Sequence, residues 1–458
     1  MRARQMLELL TRGRVARPAS RDSVLVEQEQ DLRRQIAELT QQLEREEGAV
    51  GLRRGHDLAS SGSISSGVTR EALARAQERY AQLLADLRDD DSTVGPIVRL
   101  DVTSWRDVAR RLSPGEVLLE YLVSDSATVV FVVTPDSLRV VDLNVGRRAV
   151  ETLVDFARGT LARPQAGPAA SGSRAAWRPP LRRLYRQLIE PVEATGALAG
   201  ARRLVILPHA ELHYLPFAAL IRPGDRRGEA DEFLIERYDI GYSPSASLWL
   251  RLGRRRPRGS SGVLALAPRM AGLPGSREEV EAIRALYGRE ATVLANGAAS
   301  EPAFRAAAPR YGVLHLATYG VLNKHNPLFS YVSLNPGAGA DGRLEVHEVF
   351  GLTLDARLIV LSACQTALGS GAVSDVPPGD DWVGLVRAFL SVGADNVIAT
   401  LWPVEDRSTA RLMERLHRGL RSGAPEATAL AAAQRAALRV PETADPFYWA
   451  GFVLVGGR

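Results

Sequence analysis

Apolar residues recur in three different rhythms along this chain. In the first ninety residues the spacing is helical: Leu32, Ile36, Leu39 and Leu43 form one stripe, and Leu73, Ala76, Tyr80, Leu83 and Leu87 form another. Each stripe lies on one face of a 3.6-residue helix. Between them, Ser60-Ser-Gly-Ser-Ile-Ser-Ser-Gly67 has the composition of a flexible loop. The pattern predicts two helices packed as a hairpin, with too few heptads to establish a coiled coil between chains.

The second rhythm is extended. Glu116–Val123, Ala127–Thr134 and Leu138–Leu143 are β-rich runs split by short turns such as Pro135-Asp136, and they predict an antiparallel meander. A helix is expected from about Arg147 to Ala162, followed by a Pro/Gly/Ser linker over Arg163–Ser173.

In the third region strands and helices alternate. Expected strands are Arg203–Leu207, Leu234–Ile240, Gly262–Leu266, Thr292–Leu294, Gly312–Ala317, Tyr331–Leu334, Arg357–Ser362 and Asn396–Leu401. Expected helices include Arg277–Leu286, Glu301–Ala308, Trp382–Val392, Asp406–Leu420 and Glu426–Leu438. Several strands are apolar throughout, as required when helices cover both faces of a parallel sheet. The fold class is therefore α/β: a three-layer domain with a largely parallel sheet, preceded by a small β-rich segment and an N-terminal helical hairpin. The corresponding domain expectation is 1–95, 96–165 and 174–458. Chemistry in such sheets collects beyond the C-terminal ends of the strands.

Composition narrows the function classes. The hydrophobic fraction is 45% and the charged fraction 24%, ordinary for a globular protein. No uncharged apolar run is long enough to cross a membrane, and the N-terminus lacks the apolar core of a signal peptide. One cysteine excludes an intramolecular disulfide framework, so a cytoplasmic location is expected. The net charge of +5 is carried almost wholly by arginine, with Lys324 the one lysine. The Arg-rich stretches are short and not interleaved with aromatics, so nucleic-acid binding is not expected.

That one cysteine, Cys364, follows an apolar strand and is flanked by Ser362, Ala363, Gln365, Thr366 and Gly369. Small and polar neighbours suit a tight, partly exposed loop, where a thiol can act as nucleophile if its thiolate is stabilised. A buried structural cysteine is the plainer alternative. A second apolar strand, Val313–Ala317, ends at Thr318-Tyr319-Gly320.

Six segments carry a family resemblance: Pro208–Leu220, Leu314-His-Leu-Ala-Thr-Tyr-Gly320, Asn326–Leu334, Leu361-Ser-Ala-Cys-Gln-Thr-Ala-Leu-Gly369, Gly384–Ala394 and Ala399-Thr-Leu-Trp-Pro-Val404. Together they resemble a CHAT domain, of the caspase- and separase-related clan of cysteine peptidases. Asp445–Phe452 is similar to that domain's C-terminus. The resemblance spans roughly residues 100 to 456. No 34-residue tetratricopeptide period appears. The N-terminal hairpin is then a candidate stub for repeats in longer relatives.

The resemblance implies a Cys-His dyad, with Cys364 at the nucleophile position and Tyr319 where the base histidine is expected. Histidine titrates near pH 6.5, whereas tyrosine titrates near 10 and is a neutral donor at pH 7. Loss of a dyad base removes on the order of 10³ or more in rate. The backbone N–H groups near Gly320 and Cys364 would still form an oxyanion hole. His315 shares Tyr319's face of the strand but lies about 13 Å back along it, which favours a structural role. His325, in the following loop, is the alternative base. His209 and His213 have a His-x-x-x-His spacing, but not on a helix, so no metal is expected, and no cofactor. Asp380 and Asp381 are read as an N-cap and first-turn acid, or as part of a substrate pocket with Trp382.

These residues predict a CHAT-domain pseudopeptidase that binds a protein or peptide partner, such as a CHAT paralogue or a repeat-containing sensor. The alternative is an active cysteine endopeptidase using another base, or an inactivated variant of one, in bacterial signalling or defence.

Overall fold

The computed structural model describes residues 61–89, 103–163, 175–224, 230–252, 262–321, 327–362 and 380–457, with parts of 28–42. Cys364, His325 and Lys324 lie outside these residues, as does the 164–173 linker.

Helix α1 spans Ser61–Asp89. Its opening residues are the Gly/Ser stretch expected as a loop, so that expectation is corrected. Loop composition reflects local propensity alone, and extending a helix already nucleated by an amphipathic segment is far easier than starting one. Ile36 of the preceding helical stretch packs with Ala76 and Tyr80, and Leu32, Leu39 and Leu73 flank them. The two stripes face one another as their spacing predicts. Gln42 Nε2 donates to Thr69 Oγ1 at 3.3 Å across the pair.

After α2 (Trp105–Arg111) comes the meander of β1 (Glu116–Val123), β2 (Thr128–Val133) and β3 (Leu138–Asp142). The three strands pair antiparallel, with Leu119 opposite Val132 and Val130 opposite Val141. Strand β1 also pairs parallel with β4 (Arg203–Leu207), so the meander forms one edge of the main sheet. Alternate residues of β1 serve two layers. Val117, Leu119 and Tyr121 join the main core with α3 (Arg147–Leu161) and α4 (Arg178–Leu188). Leu118 packs with Val108 of α2 and Trp249 of α5 (Ala246–Leu252).

The remaining strands of the main sheet are β5 (Asp239–Tyr242), β6 (Val263–Ala267), β7 (Ala291–Ala295), β8 (Val313–Ala317), β12 (Leu358–Ser362), β13 (Asn396–Thr400) and β14 (Phe452–Gly456). Between β8 and β12 the chain forms a small sheet of β9 (Gly320–Val321), β10 (Tyr331–Ser333) and β11 (Arg343–Glu345). The main sheet has eleven strands in the order β3-β2-β1-β4-β5-β14-β13-β12-β8-β6-β7. Its pairings are parallel except within the meander and between β13 and β14.

The expected strand at Leu234–Ile240 is corrected. Leu234–Arg237 forms one helical turn, and β5 starts only at Asp239. Glu236 turns its carboxylate back onto the Phe233 N–H at 2.8 Å, the one-sided half of a capping box, which outweighs the β-rich composition. Strand β14, unforeseen, lies mid-sheet and antiparallel to β13.

Helix α6 (Pro274–Tyr287) joins β6 to β7, and α7 (Glu301–Ala307) follows β7. Helix α8 (Asp380–Ser391) joins β12 to β13. The α6 crossover moves one way across the sheet and the α8 crossover the other. Right-handed connections therefore place α6 and α8 on opposite faces. Helices α9 (Asp406–Arg421) and α10 (Glu426–Leu438) pack in series on α6. The contact of α6 with α9 is close: a Cβ on Gly275 would lie 2.3 Å from the Asp406 carbonyl oxygen. The chain reverses direction across the sheet between β6 and β8, a topological switch point. Strand β8 ends beside it, with β12 the next strand in the sheet.

Candidate functional site

Strands β8 and β12 run parallel in register, with Val313 opposite Leu358 and Ala317 opposite Ser362. Both are buried along their whole length. Beyond Ala317 the Thr318 amide donates to the Ser362 carbonyl at 3.2 Å. Tyr319 and Cys364 thus follow the last paired residues, Ala317 and Ser362, by the same two positions in sequence.

The backbone at Tyr319 is held from the other side by the small sheet. Ser333 donates its amide to the Tyr319 carbonyl at 2.8 Å, and Thr318 Oγ1 donates to the Ser333 carbonyl at 2.6 Å. Gly320 pairs with Val332. Because the bond falls between Ser333 and Tyr319, Gly320–Val332 is a non-hydrogen-bonded antiparallel pair. The Gly320 N–H therefore points away from β10. Gly320 is buried and Tyr319 half-buried.

Pro327–Phe329 forms a short turn that touches both the hairpin and α8. Tyr80 of α1 stacks near Phe329, with centroids 5.7 Å apart, and meets His347 edge-on at 5.1 Å. Helix α8 begins at Asp380, so Asp380, Asp381 and Trp382 occupy its first turn; their side chains lie outside the described residues.

The five described histidines are all engaged or strongly biased. His209 Nδ1 accepts the Val123 amide at 3.1 Å, and burial, then Arg147, holds its pKa below the usual range. Burial pushes His213 down to about 3, helped by Arg387 and His209, which makes it a weak base at neutral pH. His347 Nδ1 lies 3.3 Å from the Leu328 carbonyl and 3.2 Å from Glu345.

His315 and His417 belong to a buried polar cluster behind the strand ends. His315 Nε2 is 2.7 Å from Glu279 Oε2, and Ser362 Oγ donates to that same oxygen at 2.7 Å. His315 Nδ1 is 3.0 Å from His417 Nε2, and His417 Nδ1 is 3.4 Å from the Tyr287 hydroxyl. Burial, then His315 and Arg357, holds His417 well below the ordinary histidine range, so it is neutral. Tautomers with N–H on Nε2 of both rings satisfy the contacts between the rings and to Glu279, His417 donating to His315 and His315 donating to Glu279, while the single Tyr287 proton serves either His417 Nδ1 or the His417 carbonyl. His315 thus has the structural engagement its position suggested. Glu279 and His417 escaped sequence reasoning, being 36 and 102 residues from His315.

A family model of the CHAT domain matches residues 178–457. The chain belongs to the CHAT domain family. The mouse tetratricopeptide repeat protein 28 is 25% identical over 374 residues, which cover 68% of this chain and 15% of that protein. Its human counterpart is 24% identical over 373 residues, covering 68% and 14%. The chain therefore spans about 15% of the length of these curated relatives. Among solved structures, the Saccharomyces cerevisiae separase–securin complex aligns with a TM-score of 0.38 at 13% identity, covering 92% of this chain and 27% of that one. The Arg-specific cysteine proteinase gingipain R aligns at 0.35 and 10% identity, covering 66% and 73%.

Of the residues expected at the site, Tyr319 and Gly320 at the β8 end are among those described, with their backbone held by Ser333 and β10. No described helix is long and apolar enough to cross a membrane.

Proposed function

We propose that this CHAT-family chain is a caspase-like peptide-binding module, a pseudopeptidase whose cleavage chemistry is impaired at the base position. Cys364 is the nucleophile position, Tyr319 the substituted base position, and the Gly320 N–H an oxyanion-hole donor. Asp380, Asp381 and Trp382 line the substrate side, and the partner is a protein or peptide, with a CHAT paralogue or a repeat-containing sensor as the expected class. The observation that carries this reading is Tyr319 itself. It stands at the tip of β8, with its backbone fixed by Ser333 and its neighbour Thr318 bonded to β12. The backbone at the expected base position is held on both sides, which supports this reading, and the side chain there is a phenol.

A neutral phenol, unlike an imidazole, has no nitrogen lone pair to take the thiol proton and forms no cation that stabilises a thiolate. Each described histidine is committed elsewhere or too weak a base to replace it. The Gly320 N–H does not depend on the side chain at 319, so carbonyl binding survives the substitution.

The test compares labelling of Cys364 by a peptidyl electrophile with labelling by iodoacetamide. A binding module without an activated thiol shows a peptide preference from recognition alone, with alkylation rising toward the ordinary thiol pKa near 8.5. Fast labelling near pH 6 would instead favour an active endopeptidase using another base, such as His325.

A further inference from the structure

Strand β6 pairs with β8 on the side away from β12, with Val313 opposite Val263 and Leu316 opposite Leu266. Counting on by the same offset puts Arg269 level with Tyr319. Each follows the last residue of its strand, Ala267 or Ala317, by two positions. Paired strands lie about 4.8 Å apart, so the two residues leave neighbouring tips. From these tips the chain departs in opposite directions across the sheet, which opens the crevice where open α/β sheets bind ligands. Residues 333–335 clip the tips together. The Ser333 amide donates to the Tyr319 carbonyl at 2.8 Å, and the Ser333 hydroxyl accepts from Arg269 Nη2 at 3.2 Å. Asn335 Nδ2 lies 3.5 Å from the Pro268 carbonyl. The Arg269 backbone is fixed as well, because its carbonyl accepts the amides of Gly272 and Leu273, each at 3.0 Å. Ser333 is buried, whereas Arg269 is exposed and contributes nothing to the core. A guanidinium has five N–H donors; Ser333 takes one, and no carboxylate among the described residues pairs with Arg269. Acids on the surrounding elements are engaged elsewhere: Glu301 with Arg305 and the Gly342 amide, Asp341 with the Arg343 amide, and Asp406 with the Gly275 amide at the start of α6.

We propose that Arg269 is a specificity-determining residue at the β8 end: its guanidinium receives an acidic side chain of the bound peptide, beside the backbone held at Gly320. The inference rests on the reading of the β8 end as a peptide-binding site, and it adds the partner's chemistry, a peptide carrying aspartate or glutamate. A carboxylate meets two parallel N–H donors of a guanidinium at once, a geometry that lysine does not offer. Because one residue, Ser333, holds both the guanidinium and the Tyr319 carbonyl, the charge has a fixed place relative to the β8 tip. The net charge of +5 adds a long-range attraction of the same sign.

The test uses the full chain and fluorescence anisotropy. The probes are fluorescein-labelled, end-blocked hexapeptide pools built from Ala, Leu, Ser and Val, with Asp, Asn or Arg fixed at each position in turn. At one fixed position the Asp pool is expected to bind about tenfold more tightly than the Asn pool, the scale of one charge-assisted pair. Arg269→Ala is expected to abolish that preference while leaving the affinity for the Asn pool within about twofold, since the side chain is exposed and outside the core. Arg269→Lys is expected to keep a reduced preference, because it retains the charge and loses the fork. Arg343→Ala, on β11 of the same small sheet, removes the same net charge and is expected to leave the preference unchanged. Equal binding of the Asp and Asn pools, a preference that survives Arg269→Ala, or an equal loss in Arg343→Ala would overturn the inference. Neutral pools that bind without an acidic preference sink this inference and leave the peptide-binding reading standing. If no pool binds, both fall.

Discussion

The Thr318 amide donates to the Ser362 carbonyl at 3.2 Å, one position past the last paired residue of β8. The main chains leading to Tyr319 and to the cysteine segment are therefore joined by backbone bonds, independent of any side chain at position 319. Ser333 fixes the Tyr319 carbonyl from the opposite side. A conservative change at 319 should leave this frame intact. Tyr319→Phe is expected to change the rate of Cys364 alkylation by less than about threefold, since the phenol is not a base at neutral pH. A larger fall, measured by iodoacetamide labelling, would show that the hydroxyl itself supports the thiol.

The hairpin docks through a cluster separate from the main core: Ile36, Ala76, Tyr80 and Phe329. Tyr80 is fully buried there, against Phe329 and His347. Tyr80→Ala should cost roughly 3–5 kcal/mol of docking energy, as for other large aromatic truncations. Because the cluster is local, hydrogen exchange should show loss of protection in α1 while β8 and β12 keep theirs. Equal loss in all three would mean that the hairpin and sheet unfold as one unit.

Two histidines, fully buried His417 and half-buried His213, predict how stability depends on pH. His417 is held well below the ordinary value and His213 down to about 3, in both cases chiefly by burial. Both stay neutral in the folded state as pH falls, while the unfolded chain binds protons below about 6.5. Their stabilising contribution is therefore complete above that value and is lost as pH drops below it. Each adds at most about 1.4 kcal/mol per pH unit to the slope. Urea unfolding at pH 7.5, 6.5 and 5.5 should show little change over the first step and a clear loss over the second. His417→Gln should flatten that second step.

The packing of α6 on α9 depends on Gly275, whose missing side chain lets the Asp406 backbone approach. Gly275 also donates its amide to Asp406 Oδ2 at 2.5 Å. A methyl group there would push apart the helices that carry Glu279 and His417. Gly275→Ala is expected to destabilise by roughly 2–3 kcal/mol despite the better helix propensity of alanine. Chemical denaturation checks the sign; a stabilised variant would mean the helices separate without loss.

Much of this fold was legible because burial imposes a period. Val313–Ala317 and Leu358–Ser362 are apolar except for His315 and Ser362 and are fully buried parallel strands. The stripe of Leu32, Ile36 and Leu39 found its partner stripe in α1. Where one polar contact decided the structure, pattern reading failed. The Glu236 cap turned Leu234–Arg237 into a helix, and the Ser60–Gly67 composition gave no hint of the helix that starts at Ser61. The Glu279–His315–His417 cluster was invisible for a related reason, since it exists only where two helices and two strands meet. Among the named site positions, Tyr319 and Gly320 fall on the described strand end, whereas Cys364 and the side chains of Asp380, Asp381 and Trp382 do not.

The central claim is that the frame at the end of β8 is competent and the side chain it carries is not. It is tested most directly by the second-order rate of Cys364 labelling with a peptidyl electrophile, in wild type and in Tyr319→His at pH 7. The account predicts a slow wild type and a gain on the order of 10²–10³ in the variant, with the pH midpoint moving down as an imidazolium stabilises the thiolate. A wild type that already labels as fast as Tyr319→His would contradict it.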